Sequence, residues 1–455
     1  MDLQAIERAP RDNGYLVGRG PAWFAFGMTL ALMIFDYVDR QVIVSLFPYL
    51  KAEWSLSDKQ LGGLVSVISV TVALGALPVA LYADRVSRVR SIVAMAAIWS
   101  LATISCMWAR SYPHLLAARA VVGLGEAGYG SVGAALIASH FPDRMRGALL
   151  AGFFASASIG SVLGVMLGGV IAAKWGWQAA FGVVGVPGLV LALLYLKVRD
   201  YETVKLAPAL DAKRQSLGEA IRHIVKVLAR SRTMLWVCIG GAAQLVVVSA
   251  LWSWLPSFLN RVHGVAPAAA GVKAALVVLA GAAGAVLWGA VIDRAGIAQP
   301  RRRLHAMALL CLASMVVLVL AFGLDLAPAP QFALIAVGGF LATCTVGPVS
   351  AIVIDVIHPG VRATGSSVLA LFQNLFGLAA GPFIAGVLSD AWGLVPALVT
   401  TPLFALAAAA AFLLAARSYA SDKARAAEPL EPVAAPLEPA TGLAEPLRDQ
   451  RLPTA

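Results

Sequence analysis

The chain has 455 residues, of which 60% are hydrophobic and 13% are charged. A mean hydropathy of +0.82 is far too high for a soluble protein of this length, so the composition indicates an integral membrane protein. The apolar runs are long and nearly continuous, which indicates helical spans rather than the alternating strands of an outer-membrane barrel. The net charge of +11 does not indicate nucleic-acid binding, because the basic residues collect in short loops and form no stripe with interleaved aromatics.

Twelve apolar runs are long enough to cross a bilayer as helices. Residues 1–21 are polar and lack the short apolar stretch of a signal peptide, so we expect the first run to be retained. The runs lie near residues 22–46, 61–82, 91–109, 114–140, 147–173 and 178–197, and then 233–256, 269–291, 304–323, 331–354, 365–389 and 396–416. The sequence therefore predicts an all-α membrane protein with six helices in residues 22–197 and six in 233–416.

The distribution of basic residues predicts which loops are cytoplasmic. Most of the 35 Lys and Arg lie in the two tails and in alternate loops, so both termini, including the tail 1–21, are expected on the cytoplasmic side of a bacterial inner membrane. Residues 198–232 carry Ser216 and Glu219 at capping-box spacing, which predicts either an amphipathic helix on the membrane surface or a solvated linker helix. Residues 417–455 have no periodicity and are predicted to be a disordered tail.

The two sets of spans repeat each other. The pair Asp84-Arg85 is echoed by Asp293-Arg294, and Trp175-Gly176 is echoed by Trp392-Gly393. Across four such landmarks the offset drifts only from about 208 to 217 residues, which is typical of parallel six-helix repeats related by an axis along the membrane normal. The prediction is two pseudo-symmetric six-helix bundles.

The fourth run contains two charges inside an otherwise apolar segment. Arg119 and Glu126 are seven residues apart, which is two helical turns, so both are expected on one helix face. A charge deep in a bilayer is costly and usually faces partners or a water-filled cavity, where it marks a substrate or proton path. We therefore expect the polar site of a transporter on this helix.

The first run supplies candidate partners for these charges. Counting about 1.5 Å per residue brings Asp39 and Arg40 level with Arg119, and Asp36 towards the level of Glu126. Two carboxylates close together in a poorly solvated site cannot both ionise at low cost, so one of them is expected to exchange a proton. The alternative is that these charges pair only to hold the N-terminal half together.

The C-terminal half carries no comparable cluster. The repeat offset places Asp36 on Gln244, Arg119 near Ile335 and Glu126 near Ala342, and further polar residues are Gln373 and Asn374. The central cavity is thus expected to be charged on one side and apolar on the other, which suits an amphiphile.

Two loops carry paired charges at helix ends. Asp84, Arg85 and Arg88 lie in one, and Asp293 and Arg294 lie in the corresponding loop of the second half. They are predicted to form a cytoplasmic gate that breaks when the halves rock. For the arginines alone, a role in setting topology would be sufficient.

The chain resembles the major facilitator superfamily over residues 22–416, in its twelve spans, its long central loop and its two DR loops. Within that superfamily, Tyr37-x-Asp39-Arg40 and the stretch from Arg119 to Glu126 and Tyr129 resemble the Spinster-type lipid transporters. The resemblance implies alternating access and proton-coupled transport of a sphingolipid or lysophospholipid. It also implies Asp39 or Glu126 as the proton carrier. Asp36 departs from the pattern, since Spinster-type proteins often have Asn at this position.

The sequence thus predicts a secondary transporter for an amphiphilic substrate. Asp36, Asp39 and Glu126 are the candidates for proton coupling, and the candidates for substrate binding are Arg40, Arg119, Tyr129, Tyr37, Gln244, Gln373 and Asn374. An organic-anion/proton symporter, with Arg40 and Arg119 clamping a carboxylate, is the alternative. A drug/proton antiporter and a non-transporting receptor or scaffold come after it.

We do not expect an enzyme, because the sequence contains no nucleophile with a base, no metal-ligand spacing and no phosphate-binding glycine loop. No catalytic residue, metal or cofactor is expected. The expected partners are the substrate, protons and membrane lipid, with no nucleic acid, and the protein is expected to be a monomer.

Overall fold

The computed structural model describes residues 15–85, 87–200, 231–357 and 362–426. Within these ranges, twelve helices are long and apolar enough to cross a membrane, and they coincide with the twelve apolar runs of the sequence. The predicted helix in 198–232 falls almost entirely outside the described residues, as do residues 1–14 and the tail beyond 426.

We number the spans α1 to α12, and several of them consist of more than one helical segment. The first six are α1 (Arg19–Val42, Ile43–Leu46 and Phe47–Trp54), α2 (Asp58–Arg85), α3 (Arg88–Ser105 and Cys106–Trp108), α4 (Tyr112–Glu126 and Tyr129–His140), α5 (Asp143–Trp175) and α6 (Trp177–Tyr195). The second six are α7 (Arg232–His263), α8 (Pro267–Ala298), α9 (Arg302–Gly323), α10 (Pro328–Ala342, Thr343–Thr345 and Val346–Asp355), α11 (Arg362–Phe372, Gln373–Leu378 and Ala380–Trp392) and α12 (Leu394–Thr400, Thr401–Leu403 and Phe404–Ala426).

The ends of the spans define two faces of the molecule. We call the face where α1 begins and α12 ends the terminal face, and the opposite face, where α2 begins at Asp58, the Asp58 face. The N-terminal half comprises α1 to α6, and the C-terminal half comprises α7 to α12. Contacts between the halves are made mainly by α5 on α8 and by α2 on α11.

The hydrophobic core shows where the two halves meet. One buried cluster runs through the C-terminal half and continues into the N-terminal half only near the Asp58 face, at residues such as Phe47, Leu61 and Val165. A second cluster, which includes Leu32, Tyr129 and other residues towards the terminal face, contains residues of the N-terminal half alone. Among the described residues, the core that the two halves share therefore lies near the Asp58 face.

The last span is longer than the sequence indicated. The C-terminal bundle was predicted to end at 416, followed by a disordered tail, but α12 continues as a helix to Ala426. Asp422 is buried and accepts hydrogen bonds from the backbone N–H of Thr233 and the hydroxyl of Ser231, at the start of α7. The bond from Thr233 satisfies a free N–H group at a helix N-terminus, and both bonds hold the end of α12 against α7.

Small residues on α5 let it approach α1 closely, as the spacing of Gly160, Gly164 and Gly168 indicates. A Cβ atom at position 164 would lie 2.6 Å from the backbone carbonyl oxygen of Val38. Because α1 carries Asp36, Asp39 and Arg40, this packing fixes the position of the charged residues.

Gly164→Ala is expected to lower the free energy of unfolding by about 1–3 kcal/mol, because its Cβ would force α1 and α5 apart. Gly152→Ala on the same helix is the matched control, since a Cβ there meets no atom within 4 Å. Thermal unfolding in detergent compares the two variants. Equal melting midpoints would show that the close approach at Gly164 does not hold the helices in place.

Candidate functional site

The fourth span is interrupted next to its carboxylate. Its first segment ends at Glu126, and its second segment begins at Tyr129. Gly128 between them has φ +83°, a left-handed conformation that glycine adopts without strain. Interrupted membrane helices often carry substrate or ion sites, because the break exposes backbone groups to the cavity.

Arg119 and Asp39 form a fully buried ion pair between α4 and α1. The Arg119 Nη1 atom lies 2.9 Å from Asp39 Oδ1 and also donates to the Asp39 backbone carbonyl oxygen at 3.1 Å. The hydroxyl of Thr103 on α3 donates a hydrogen bond to the other oxygen of Asp39. Arg119 is 0% exposed and Asp39 is 1% exposed, so the pair contacts protein groups and not lipid.

Arg40 lies between two further carboxylates. Its Nε atom is 2.7 Å from Asp36 Oδ1 and 3.0 Å from Glu126 Oε2. The Arg40 backbone is level with Arg119, as helical rise predicts, since Arg119 Nη2 lies 3.4 Å from the Arg40 carbonyl oxygen, but the Arg40 guanidinium lies a turn deeper, beside Asp36 and Glu126. The reason is that helical side chains point towards the N-terminus of their helix, which brings Arg40 back over Asp36. The arginine thus holds the two carboxyl groups side by side.

The five charged residues do not balance. The three acidic residues face two arginines, which gives an excess of one negative charge if all are ionised. Neither oxygen of Glu126 has a hydrogen-bond partner among the described residues, because Arg40 lies at ion-pair distance without hydrogen-bond alignment. A buried carboxylate without hydrogen bonds is costly even beside Arg40, and a single proton on this group would make the cluster neutral. The arrangement can therefore bind one proton.

The two tyrosines of the motif have different surroundings. Tyr37 is partly exposed, and the Arg40 guanidinium lies 5.2 Å from the centre of its ring. Tyr129 is fully buried, and its hydroxyl donates to the backbone carbonyl oxygen of Thr29 at 2.6 Å. In this conformation Tyr37 and the Arg40 side chain, which is 17% exposed, are the members of the cluster that a ligand can reach.

The candidate binding residues of the C-terminal half are also divided. Gln244 is fully buried, and its Nε2 atom donates to Ser314 Oγ at 3.2 Å and to the Ala342 carbonyl oxygen at 2.9 Å. Gln373 and Asn374 are partly exposed and begin a π-helical segment of α11. Such segments are rare and frequently lie at functional sites. Substrate contact by Gln244 stays a prediction, and in this conformation that residue joins α7 to α9 and α10.

Two of the predicted gate residues on the terminal face, Arg88 and Asp293, have a contact within their own half. Arg88 donates to Ser139 Oγ at 3.1 Å, and Asp293 lies 3.6 Å from Arg303. Arg294 is exposed. The side chains of Asp84 and Arg85 lie outside the described part of the chain. The predicted gate between the halves therefore stays a prediction.

Sequence reasoning missed two kinds of residue. Thr103 is one polar residue among many in apolar spans, and nothing in its pattern indicates that it contacts Asp39. The network of Asp58, Arg261 and Asp390 lies at span ends, where isolated charges are ordinary. Arg261 lies 203 positions after Asp58 in the sequence, and Asp390 lies 332 positions after it, so only the fold brings the three together.

The twelve spans and the buried charged cluster define a multi-pass membrane transporter with two related halves. The family described as Major Facilitator Superfamily matches residues 29–382, and the chain belongs to it. This match confirms the resemblance found in the sequence.

Relatives with different substrates are similar to the chain. An MFS-type efflux pump of Mycolicibacterium smegmatis is 29% identical over 84% of this chain and 88% of its own length. The hexuronate transporter of Bacillus subtilis is 24% identical over 79% and 86%. Protein spinster homolog 3 of Danio rerio is 24% identical over 81% and 77%. This range of relatives supports a transporter without specifying its substrate.

The fold is similar to that of a solved structure, a bacterial homolog to the human lysosomal transporter Spinster in an inward-facing and unoccupied conformation. The two share 23% identity with a TM-score of 0.78, over 89% of this chain and 99% of the other. At this identity the likeness shows a shared fold. The chain is thus similar to Spinster proteins both in fold and in sequence, and the family that the match shows is the Major Facilitator Superfamily.

Proposed function

We propose that this protein is a proton-coupled secondary transporter that moves a lysophospholipid or sphingolipid-like amphiphile by alternating access. In this proposal the terminal face is cytoplasmic, because most Lys and Arg lie in the tails and loops of that face. The conformation described above is then open to the cytoplasm. Asp36, Asp39 and Glu126 are the candidate proton carriers, and Arg40 and Tyr37 contact the substrate headgroup.

The observation that carries this proposal is a comparison between the two halves. Gln244 and Ala342 occupy the repeat positions of Asp36 and Glu126, and an amide-to-carbonyl hydrogen bond of 2.9 Å joins them. The C-terminal half thus makes the corresponding helix junction with neutral groups. Since charges are not needed to join these helices, the excess carboxylate in the N-terminal half is better explained by a role in transport.

Proton binding at this cluster would be linked to the exposure of Arg40. With a proton on Glu126 or Asp36, the cluster is neutral and can be enclosed between the halves at low cost. Once water reaches Arg40 through an open face, the ionised form is stabilised and the proton can leave. Alternating exposure of the cluster would therefore carry one proton per cycle.

The distribution of polarity supports an amphiphilic substrate. The charged groups inside the spans are concentrated in the N-terminal half. In the C-terminal half, the repeat positions of Arg40 and Arg119 are the apolar residues Val248 and Ile335. A headgroup can bind beside Arg40, and an acyl chain can lie against the apolar half.

Transport by purified protein in proteoliposomes tests this proposal. Labelled lysophospholipid is supplied with and without an imposed pH gradient, and wild type is compared with Glu126→Gln. The matched control is Glu53→Gln, since Glu53 is an exposed carboxylate that bonds Trp177 within the N-terminal half. We expect gradient-driven movement by wild type and Glu53→Gln, and its loss in Glu126→Gln. Gradient-driven transport by Glu126→Gln at the wild-type rate would contradict the proton role.

An organic-anion/proton symporter is the second candidate. The observation in its favour is the partial exposure of Arg40, since an arginine fork binds a carboxylate well. Arg119 is fully buried against Asp39, so a clamp made by both arginines would need that pair to separate. A gradient-driven movement of hexuronate or a similar acid, with no movement of lysophospholipid by wild type, would favour this candidate over the lipid transporter.

A further inference from the structure

The Asp58 face carries a second charged network, which joins the two halves and lies far from the cluster described above. Asp58 begins α2, and its side chain is 4% exposed. Arg261, near the end of α7, donates to both of its oxygens, at 2.7 and 2.9 Å. This two-pronged geometry is the strongest arrangement that an arginine and a carboxylate form.

Two further contacts complete the surroundings of Asp58. Ser389 on α11 donates to Asp58 Oδ2 at 2.5 Å, and Lys51 at the end of α1 lies 2.5 Å from Oδ1. Two of the three side chains that bind this carboxylate therefore come from the opposite half. The guanidinium of Arg261 also lies 5.8 Å from the ring centre of Trp254, which packs against Phe47 of the N-terminal half.

Asp390 on α11 makes a reciprocal contact. Its two carboxylate oxygens accept hydrogen bonds from the backbone N–H groups of Asp58 and Lys59, at 2.7 and 2.8 Å. These are free N–H groups at the N-terminus of α2, where a negative charge is also favoured by the helix dipole. The cap of an N-terminal-half helix is thus supplied by the C-terminal half.

We propose that Asp58, Arg261, Ser389 and Asp390 form a latch that holds the halves together at the Asp58 face, and that opening this latch exposes the opposite face of the transport path. The contacts are directional and come from α2, α7 and α11, so they cannot survive a rotation of one half against the other. Both aspartates lose their partners in the opposite half in the same movement, and Asp58 keeps only Lys51. The latch therefore sets the balance between the conformation described here and one that is open at the Asp58 face.

The test measures this balance without any substrate, so its result does not depend on the lipid or proton assignment. Spin labels are placed on full-length protein at two pairs of exposed positions, after the four buried cysteines are replaced by alanine. Arg144→Cys with His305→Cys reports the distance between the halves at the terminal face, and Arg110→Cys with Asp325→Cys reports it at the Asp58 face. Electron spin resonance gives both distance distributions in the same detergent.

Asp58→Asn and Arg261→Gln are expected to shift the ratio of the two conformations at least tenfold, which corresponds to about 1.4 kcal/mol. Distances should shorten at the terminal face and lengthen at the Asp58 face. Glu53→Gln, which removes a contact on the same face within one half, is expected to leave both distributions unchanged. Asp390→Asn leaves the Asp58 side chain intact and serves if the first two variants fail to fold, as judged by size-exclusion chromatography.

Wild-type distributions in folded Asp58→Asn, Arg261→Gln and Asp390→Asn would overturn the proposal. A shift of the same size in Glu53→Gln would also overturn it, because the change would then follow from any lost polar contact on that face.

Discussion

Arg119→Gln is expected to destabilise the N-terminal half more than any other single substitution in the charged cluster. It leaves Asp39 buried at 1% exposure with its cation removed, and breaking a buried pair from one side costs about 3–5 kcal/mol. Thr103 would continue to donate to Asp39, but one hydroxyl hydrogen bond does not compensate for a full charge. Thermal unfolding in detergent, followed by size-exclusion chromatography of the heated sample, compares the stability of Arg119→Gln with that of wild type.

The double variant Asp39→Asn with Arg119→Gln is the control for this prediction. It removes both charges and keeps similar volumes, so we expect it to recover a large part of the lost stability. If the double variant melts no higher than Arg119→Gln alone, the pair does not stabilise the helix contact through its charges.

Arg40→Gln is expected to lower the transport rate roughly 100-fold while it leaves a folded protein. Arg40 is partly exposed, so its loss should cost less stability than the loss of Arg119. Asp36 and Glu126 would lose the guanidinium that they share, and both would then retain protons. Losing a hydrogen-bonded charge at a binding site costs about 3 kcal/mol, or roughly a 100-fold lower transport rate.

A conservative variant shows whether the shape of the Arg40 side chain matters, and a variant at another arginine is the control. Arg40→Lys keeps the charge but has no planar fork to hold two carboxyl groups. We therefore expect it to unfold at the wild-type temperature but to transport little better than Arg40→Gln. Arg110→Gln removes an exposed arginine at the Asp58 face and should transport at the wild-type rate. Transport by Arg40→Gln within threefold of wild type, in the proteoliposome assay, would exclude Arg40 from the mechanism.

Much of the fold follows from the sequence because a bilayer restricts what the chain can do. Long apolar runs have to be helices, so the twelve spans could be predicted from hydropathy alone. The end of α12 could not, because residues 417–426 are polar enough to resemble a tail. Their helix depends on the contact between Asp422 and the start of α7, which is a tertiary interaction.

The site was predictable at the level of helices and not at the level of side chains. Counting residues along two antiparallel spans placed Asp39 beside Arg119, since helical rise is constant. The same counting placed the Arg40 backbone correctly but not its guanidinium, because the long side chain reaches back one turn. The break at Gly128 and the π-helical segment at Gln373 depend on backbone conformations that a hydropathy pattern does not reveal.

The latch on the Asp58 face was missed for a different reason. Asp58, Arg261 and Asp390 each occupy a span end, where a single charge has no informative spacing. Their significance lies in the approach of α2 to α7 and α11, which brings distant parts of the chain together. Sequence reasoning on one chain finds charges inside spans more readily than charges that meet between halves.

The central claim is that the buried cluster holds one proton at neutral pH, shared by Asp36, Glu126 and their neighbours. Infrared difference spectroscopy of the purified protein tests it directly, because a protonated carboxyl group has its own C=O stretching band. We expect wild type at neutral pH to show such a band, which disappears in Glu126→Gln or Asp36→Asn and persists in Glu53→Gln. A wild-type spectrum with no carboxyl band that either cluster substitution removes would contradict the claim.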